Sequence, residues 1–334
     1  MLLKQNISLQ PFNTFGINVS AKLFTQLSDL GDLAEITALN YDKYVLGGGS
    51  NILLTRPVNG LVIQNKLKGI TVEKEDDTHL WLNVQAGEIW HDLVLHAINK
   101  GLGGIENLAL IPGTAGASPM QNIGAYGVEA RETIESVTCW HWEEKTFITL
   151  TNGECNFGYR DSIFKHDLKD KTFITSVVYK LNKKPEFKTS YGAIGQELEH
   201  MNIHELSVQA IAQAVINIRS SKLPDPKVIG NAGSFFKNPT IPLQQYTLLY
   251  SAYSGMPSYP VNETAVKVPA GWLIEQCGWK GYRHGDMGVH AKQALVLVNY
   301  GNARGDELWE LSGEILYSVK EKFGIELERE VQVW

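Results

Sequence analysis

The chain has 334 residues, more than the ~250–300 at which a single core stops growing, so two or three lobes with a sizeable interior are expected. A composition of 43% hydrophobic and 20% charged residues, with no low-complexity stretch, excludes a disordered chain. Thirty basic against 36 acidic residues, net charge -6 and no long basic run, exclude a phosphate-backbone footprint and with it a nucleic-acid partner.

The opening residues MLLKQNISLQPFNTF lack the apolar core and small-residue cleavage site of a signal peptide, and nowhere do about 18 apolar residues run together. A soluble, cytoplasmic protein without membrane insertion is expected. Tyr44 to Leu46 reads as a short buried strand and Ile52 to Leu54 as another, with Gly47-Gly48-Gly49-Ser50-Asn51 as the turn between them. Glycines admit positive φ and let N–H groups converge, which suits an anion such as a pyrophosphate; a plain glycine-rich turn fits this stretch equally well. The dinucleotide fingerprint fails because its last glycine position holds Ile52, and Asn59 to Ile63 is a turn and strand where a helix should open. No phosphate-binding G-x-x-x-x-G-K-[ST] loop occurs either.

Ile89 to Lys100 places apolar residues at 89, 90, 93, 94, 97 and 98, the face of a helix, with Gly101 at its C-terminal stop. It feeds a long glycine-dense loop ending at Gly127, and loops of this length inside a domain are usually functional. Cys139, Cys155 and Cys277 are an odd number at spacings that suit neither a disulfide framework nor a metal clamp, and no HxxxH or HExxH pair occurs. No metal is expected. Val208 to Ile218 is amphipathic, and Arg219 to Asp225 reads as a charged, proline-bearing turn. Ala294 to Val298 is a strand, and Asp306 to Phe323 a helix stopped at Gly324. The expected organisation is a first lobe over 1–68, a second over 69–218, a third domain over 219–320 and a tail over 321–334 that must dock to be rigid.

GGGSN followed about 60 residues later by IPGTAGASPMQNIGAYG resembles the flavin-binding lobe of the UDP-N-acetylenolpyruvoylglucosamine reductase family, and the resemblance runs from Asn13-Thr14-Phe15-Gly16 to the last residues. It implies an α+β fold: an FAD-binding module of the PCMH/vanillyl-alcohol-oxidase type, with two subdomains formed by the first two lobes, plus a separate α/β substrate-binding domain. Gly47, Gly48, Gly49, Ser50 and Asn51 of the first loop would hold FAD, with Ile111, Pro112, Gly113, Ala117, Ser118, Asn122, Ile123 and Gly124 of the second. Three further stretches match. Phe157 to Ser162 would supply the catalytic Arg160, Gly230 to Pro239 the proton-donating Ser234, and Leu327 to Val331 the catalytic Glu330, preferred over Glu328 because the family pattern is L-E-x-E-V. Taken singly, each is more often a surface arginine, a helix-capping serine or a solvated glutamate; their joint occurrence in family order decides otherwise.

The implied activity is reduction of an enolpyruvyl ether of a UDP-sugar with NADPH, in peptidoglycan precursor synthesis. Hydride addition to the terminal carbon leaves an enediolate, whose charge suits the rigid fork of Arg160, while Glu330 in its protonated form would assist and Ser234 would protonate the adjacent carbon. Lys222 or Lys237 would stabilise the serine alkoxide. No nicotinamide fingerprint is present, so NADPH and the sugar nucleotide are expected to use one site in turn. Tyr191, in Thr189-Ser190-Tyr191-Gly192, matches the loop tyrosine of class I members, in which Tyr191, Lys222, Asn238 and Lys267 would contact substrate. Neither glycine loop contains the histidine that tethers flavin in many oxidases of this fold, so FAD is expected to be non-covalent, and His91 and His96 on the preceding helix to be structural. The alternatives are an FAD-dependent sugar or alcohol oxidase and a non-catalytic flavin or nucleotide-sugar sensor. The partners are small molecules, and a monomer is expected.

Overall fold

In a computed structural model, which describes residues 1–191 and 193–334, the chain divides into two units, each assembled from separate segments. The first comprises Met1–Ile7, Ala21–Gly48 and Val58–Ser221; the second comprises Ser8–Ser20, Gly49–Pro57 and Lys222–Trp334. This differs from the contiguous lobes expected over 1–68 and 69–218. Hydrogen bonds to remote segments account for the difference: Thr14 Oγ1 donates to the Asn231 carbonyl (2.6 Å), and the Ile52–Leu53 strand pairs in parallel with Gln332–Val333. Such partners leave no local trace in sequence.

The first unit contains two sheets. One has the strand order Lys4–Ser8, Ser20–Leu27, Val58–Asn65, Lys43–Leu46, with parallel pairing among the last three strands and the short helix α1 (Leu33–Ala38) between two of them in sequence. The Lys43–Leu46 strand lies at the sheet edge, which is why Leu46 is buried while Val45 stays exposed. The other is antiparallel, in the order Thr146–Thr151, Ile134–His141, Thr172–Asn182, His79–Gln85, Ile70–Glu75.

Helix α2 (Trp90–Asn99) buries Trp90, Leu93, Val94, Ala97 and Ile98 as its 3.6-residue period demands, while Ile89, at the N-cap, stays 49% exposed. Gly101 follows at φ +69°, the left-handed stop. Short α3 (Ile194–His200) and long α4 (Val208–Lys222) join the same core through Ile194, Leu198, Ile211 and Val215. Helix α4 runs through Lys222, so Arg219 is helical and the expected turn begins later. A second core joins the two sheets through Leu27, Ile36, Leu61, Trp140 and Phe173, making the two expected lobes one unit.

In the second unit, a sheet ordered Gly230–Asn231, Leu297–Asn299, Met287–Val289, Arg283–His284 stands beside a three-stranded sheet of Thr240–Pro242, Ala265–Lys267 and Tyr259–Asn262. The strand expected at Ala294–Val298 forms at Leu297–Asn299, because Val296 N–H closes a turn on Gln293. Helices α5 (Leu243–Ala252), α6 (Ala270–Gln276) and α7 (Gly305–Phe323) complete it. Leu308, Leu311, Ile315, Val319 and Phe323 form the buried stripe of α7, which ends at Gly324 with φ +63°. Among the described residues, no helix is long and apolar enough to cross a membrane.

Candidate functional site

In the first unit, two glycine loops meet with almost no side chain between them. A Cβ on Gly48 would lie 3.0 Å from Gly113 Cα, and one on Gly47 would lie 2.9 Å from Thr114 Oγ1. The second loop is pinned from behind. Trp90 Nε1 donates to Leu108 O (2.9 Å), Trp90 N–H to Gly113 O (3.1 Å) and Gly116 N–H to Ala86 O (2.9 Å). His91 Nδ1 accepts the Leu110 N–H (3.0 Å), so this histidine is structural; burial lowers its pKa and Arg219 reinforces the effect, favouring the neutral ring that an acceptor needs. The result is a rigid ledge of bare peptide around Ile111, Pro112 and Gly113, suited to an extended ligand bearing a pyrophosphate. These residues fit FAD.

Not every expected cofactor contact faces that ledge. The Ser118 hydroxyl is fully buried against Tyr179 Oη (2.7 Å), which itself donates to Ala115 O. Asn122 has its whole amide engaged: Nδ2 donates to Glu129 Oε2 (3.0 Å) and Gly158 O (2.8 Å), and Oδ1 accepts from Arg131 N–H (3.0 Å). Ile123 is buried as well. The side chains of these three residues therefore shape the loop rather than line it.

Asn122 also ties the loop to Arg160, two residues beyond Gly158. The Arg160 guanidinium donates to Gly124 O and, at 3.5 Å, to Asn122 O, and a Cβ on Gly124 would lie 2.8 Å from its Nη1. Leu110, Asn122, Tyr126 and Arg160 all adopt positive φ, a clustering of strained backbone typical of sites where geometry is over-determined. Arg219, which no sequence motif singles out, is buried beside Tyr126 and Arg160. Its Nε is enclosed without a hydrogen-bond partner among the described residues, its guanidinium bonds the Tyr126 hydroxyl, and Arg160 adds a second positive charge nearby. Burial lowers the Arg219 pKa and raises that of Tyr126. The signal available is the apolar period of α4 continuing past Ile218.

Asn107 Nδ2 bridges Tyr126 O (3.1 Å) and Lys188 O (2.9 Å), and the Tyr126 ring meets Tyr191 edge-on at 6.3 Å. Tyr191 is half-exposed beside this clamp. Gly192 of its motif lies outside the described residues.

In the second unit, Gly49 (φ +64°) leaves no room for a side chain, since a Cβ would lie 2.0 Å from Phe12 O. Asn51, two residues on, reaches the tail: its carbonyl accepts from Gln332 N–H (3.0 Å) and its Nδ2 donates to Glu330 O (3.4 Å). The tail also pairs with the segment after Ser234. Glu330 N–H donates to Phe235 O (2.8 Å), Arg329 bridges Phe236, and Lys237 N–H donates to Glu328 O (2.9 Å). This antiparallel register sets Glu330 opposite Phe235, the residue after the exposed Ser234, which itself follows Gly233 at φ +70°. Glu328 points to solvent in an ion pair with Lys237 Nζ (2.9 Å).

Asn231 holds the approach to Ser234, with Nδ2 on Pro224 O and Ile229 O and Oδ1 on Gly233 N–H. Asn238 Oδ1 caps α6 at Ala270 N–H (2.9 Å). Lys222 ends α4, exposed, and Lys267 is half-buried at the end of its strand. No group of metal ligands occurs among the described residues.

Residues 225–334 match the model of the UDP-N-acetylenolpyruvoylglucosamine reductase C-terminal domain, and residues 24–149 match that of an FAD binding domain. A UDP-N-acetylenolpyruvoylglucosamine reductase of Flavobacterium johnsoniae is 51% identical over all of both chains. One from Chromobacterium violaceum is 47% identical over 98% of this chain and 97% of its own. The crystal structure of the Thermus caldophilus reductase is similar over the whole of both chains, at a TM-score of 0.70 and 25% identity.

Proposed function

We infer the function from a membership that full-length identity establishes: the chain belongs to the UDP-N-acetylenolpyruvoylglucosamine reductase family. It is an FAD-dependent oxidoreductase of peptidoglycan precursor synthesis, reducing the enolpyruvyl double bond of UDP-N-acetylglucosamine enolpyruvate to give UDP-N-acetylmuramate, with NADPH as electron source.

The roles of individual residues rest on one observation above all, the register that sets Glu330 against Phe235 next to Ser234. FAD, once bound and reduced by NADPH, would supply hydride to the terminal carbon of the enolpyruvyl group. Arg160 meets the charge that accumulates on the substrate carboxylate as the enediolate forms, and Arg219 adds a second desolvated cation. Glu330, protonated, donates a hydrogen bond to the same dianion. Ser234 delivers a proton to the adjacent carbon, and because Lys237 is engaged by Glu328, Lys222 is the cation that favours its alkoxide. Tyr191, Asn238, Lys222 and Lys267 hold the nucleotide diphosphate, as expected of a class I member. NADPH and the sugar nucleotide share these contacts in turn, and the enzyme works as a cytoplasmic monomer.

Anaerobic half-reactions test this. Ser234→Ala should leave flavin reduction by NADPH within twofold of the parent while slowing reoxidation by the enolpyruvyl sugar nucleotide about 10³-fold. Equal slowing of both halves refutes the serine's role, and purified protein with no affinity for FAD removes the assignment altogether.

A further inference from the structure

The tail that carries Glu330 leaves α7 at Gly324 and runs extended, burying Ile325, Leu327 and Val331. In this alternating pattern the inward position between Leu327 and Val331 is occupied by an arginine. Arg329 Nε donates to Ser312 Oγ at 2.7 Å, and its guanidinium carbon lies 3.6 Å from the centre of the Trp309 ring. Ser312 is fully buried and donates its own hydrogen to Trp309 O (2.6 Å), so its oxygen is turned to accept from Arg329. A Cβ on Gly313 would lie 3.6 Å from Arg329 Nη2, so the fork is fitted closely against this turn of α7. Burial lowers its pKa without an acidic contributor.

None of these contacts is catalytic, and all lie one residue from Glu330. The tail's other restraints are main-chain pairing with Phe235–Lys237 and Ile52–Leu53, the long Asn51 Nδ2 bond to Glu330 O (3.4 Å), the Thr55 hydroxyl on Trp334 O, and the Lys237–Glu328 pair, solvent-facing at Glu328 and of the kind that contributes little; main-chain bonds alone allow an extended segment to slip or fray. A slip by one residue would turn Glu330 to the opposite face. We infer that Arg329 is a positioning residue: stacked on Trp309 and bonded to Ser312, it fixes the tail's register against Phe235–Lys237 and so holds the Glu330 carboxyl in working position. Lysine does not substitute, because its ammonium has neither the planar face for Trp309 nor the directed Nε–H for Ser312.

The inference rests on the role given to Glu330 above, and five variants of the FAD-loaded enzyme separate the two. Arg329→Met should retain parental flavin content and NADPH reduction within twofold, yet slow reoxidation by the sugar nucleotide about tenfold or more. Arg329→Lys should recover only part of that loss. Ser312→Ala, which removes one acceptor without disturbing α7, should slow the same half-reaction several-fold, and it keeps the test decisive if Arg329→Met folds poorly. Because Arg329 acts only through Glu330, the double variant Arg329→Met/Glu330→Gln should be no slower than Glu330→Gln alone. Multiplicative slowing in the double variant, or equal slowing of both half-reactions, overturns the proposal. So does normal reoxidation in Arg329→Met and Ser312→Ala when Glu330→Gln is slow. Normal reoxidation in Glu330→Gln itself overturns both that residue's role and the inference built on it.

Discussion

Arg160 and Glu330 are held by opposite means. The arginine is gripped by main-chain carbonyls of a nearby loop, at Asn122 and Gly124, and the loop owes its shape to positive-φ residues and to side chains turned into the protein. The glutamate is placed by partners remote in sequence, Asn51 and Phe235, and by side chains of α7. A scaffold of the first kind stores its precision in backbone conformation, and few substitutions are tolerated there. One of the second kind distributes precision over many separable contacts, each of which can be weakened alone.

The sharpest way to break this contrast is at the glycine where both kinds of restraint coincide. Gly49→Ala combines a left-handed φ with a Cβ 2.0 Å from a carbonyl oxygen, and should destabilise the protein by about 4 kcal/mol, measured by chemical denaturation. A change under about 1 kcal/mol would mean that the turn relaxes freely. Next comes Asn122→Ala, which removes three hydrogen bonds made by a fully buried side chain. It should cost about 3 kcal/mol and slow turnover through Arg160, whereas Asn51→Ala, on the tail side, should cost about 1 kcal/mol.

The smallest effect concerns pH. His91 has a lowered pKa in the folded protein, so the unfolded chain binds the extra proton first, and the stability from its neutral form is complete above the unfolded value of about 6.5 and lost as pH falls below it. Asp92 opposes the shift and Arg219 favours it. His91→Gln should therefore reduce the drop in Tm between pH 7.5 and 5.5 by about 2 °C, leaving the part due to His96 and His290, which burial also holds low. An unchanged acid slope would remove His91 from the loop's support.

Much of this architecture is legible in the order of the residues. The helix before Gly101, the long helix ending at Gly324 and the turn at Gly47 to Asn51 follow from period and punctuation, because those signals are local. The motifs also single out the stretches around Ser234 and Glu330, whose backbones pair at Phe235. What stays hidden is which atoms face inward. Ser118 and Asn122 belong to a loop fit for flavin, yet spend their polar atoms on Tyr179, Glu129 and Gly158. A motif records that a residue is required, and says nothing of whether ligand or scaffold requires it. The transfer of Ser8–Ser20 and Gly49–Pro57 to the second unit is equally invisible, since it depends on pairing with residues synthesised much later.

That parallel pairing of Ile52–Leu53 with Gln332–Val333, extended by Trp334 O accepting both the N–H and the hydroxyl of Thr55, imposes an order on biogenesis. Everything the first unit needs has been made once Ser221 has cleared the ribosome, whereas the Gly49–Pro57 segment must wait, unpaired, for a partner made only after the first unit is complete. Nascent chains stalled after Ser221 should accordingly resist protease across the first unit while being cut within Gly49–Pro57, and protection at that segment before Gln332 emerges would contradict this sequence of events.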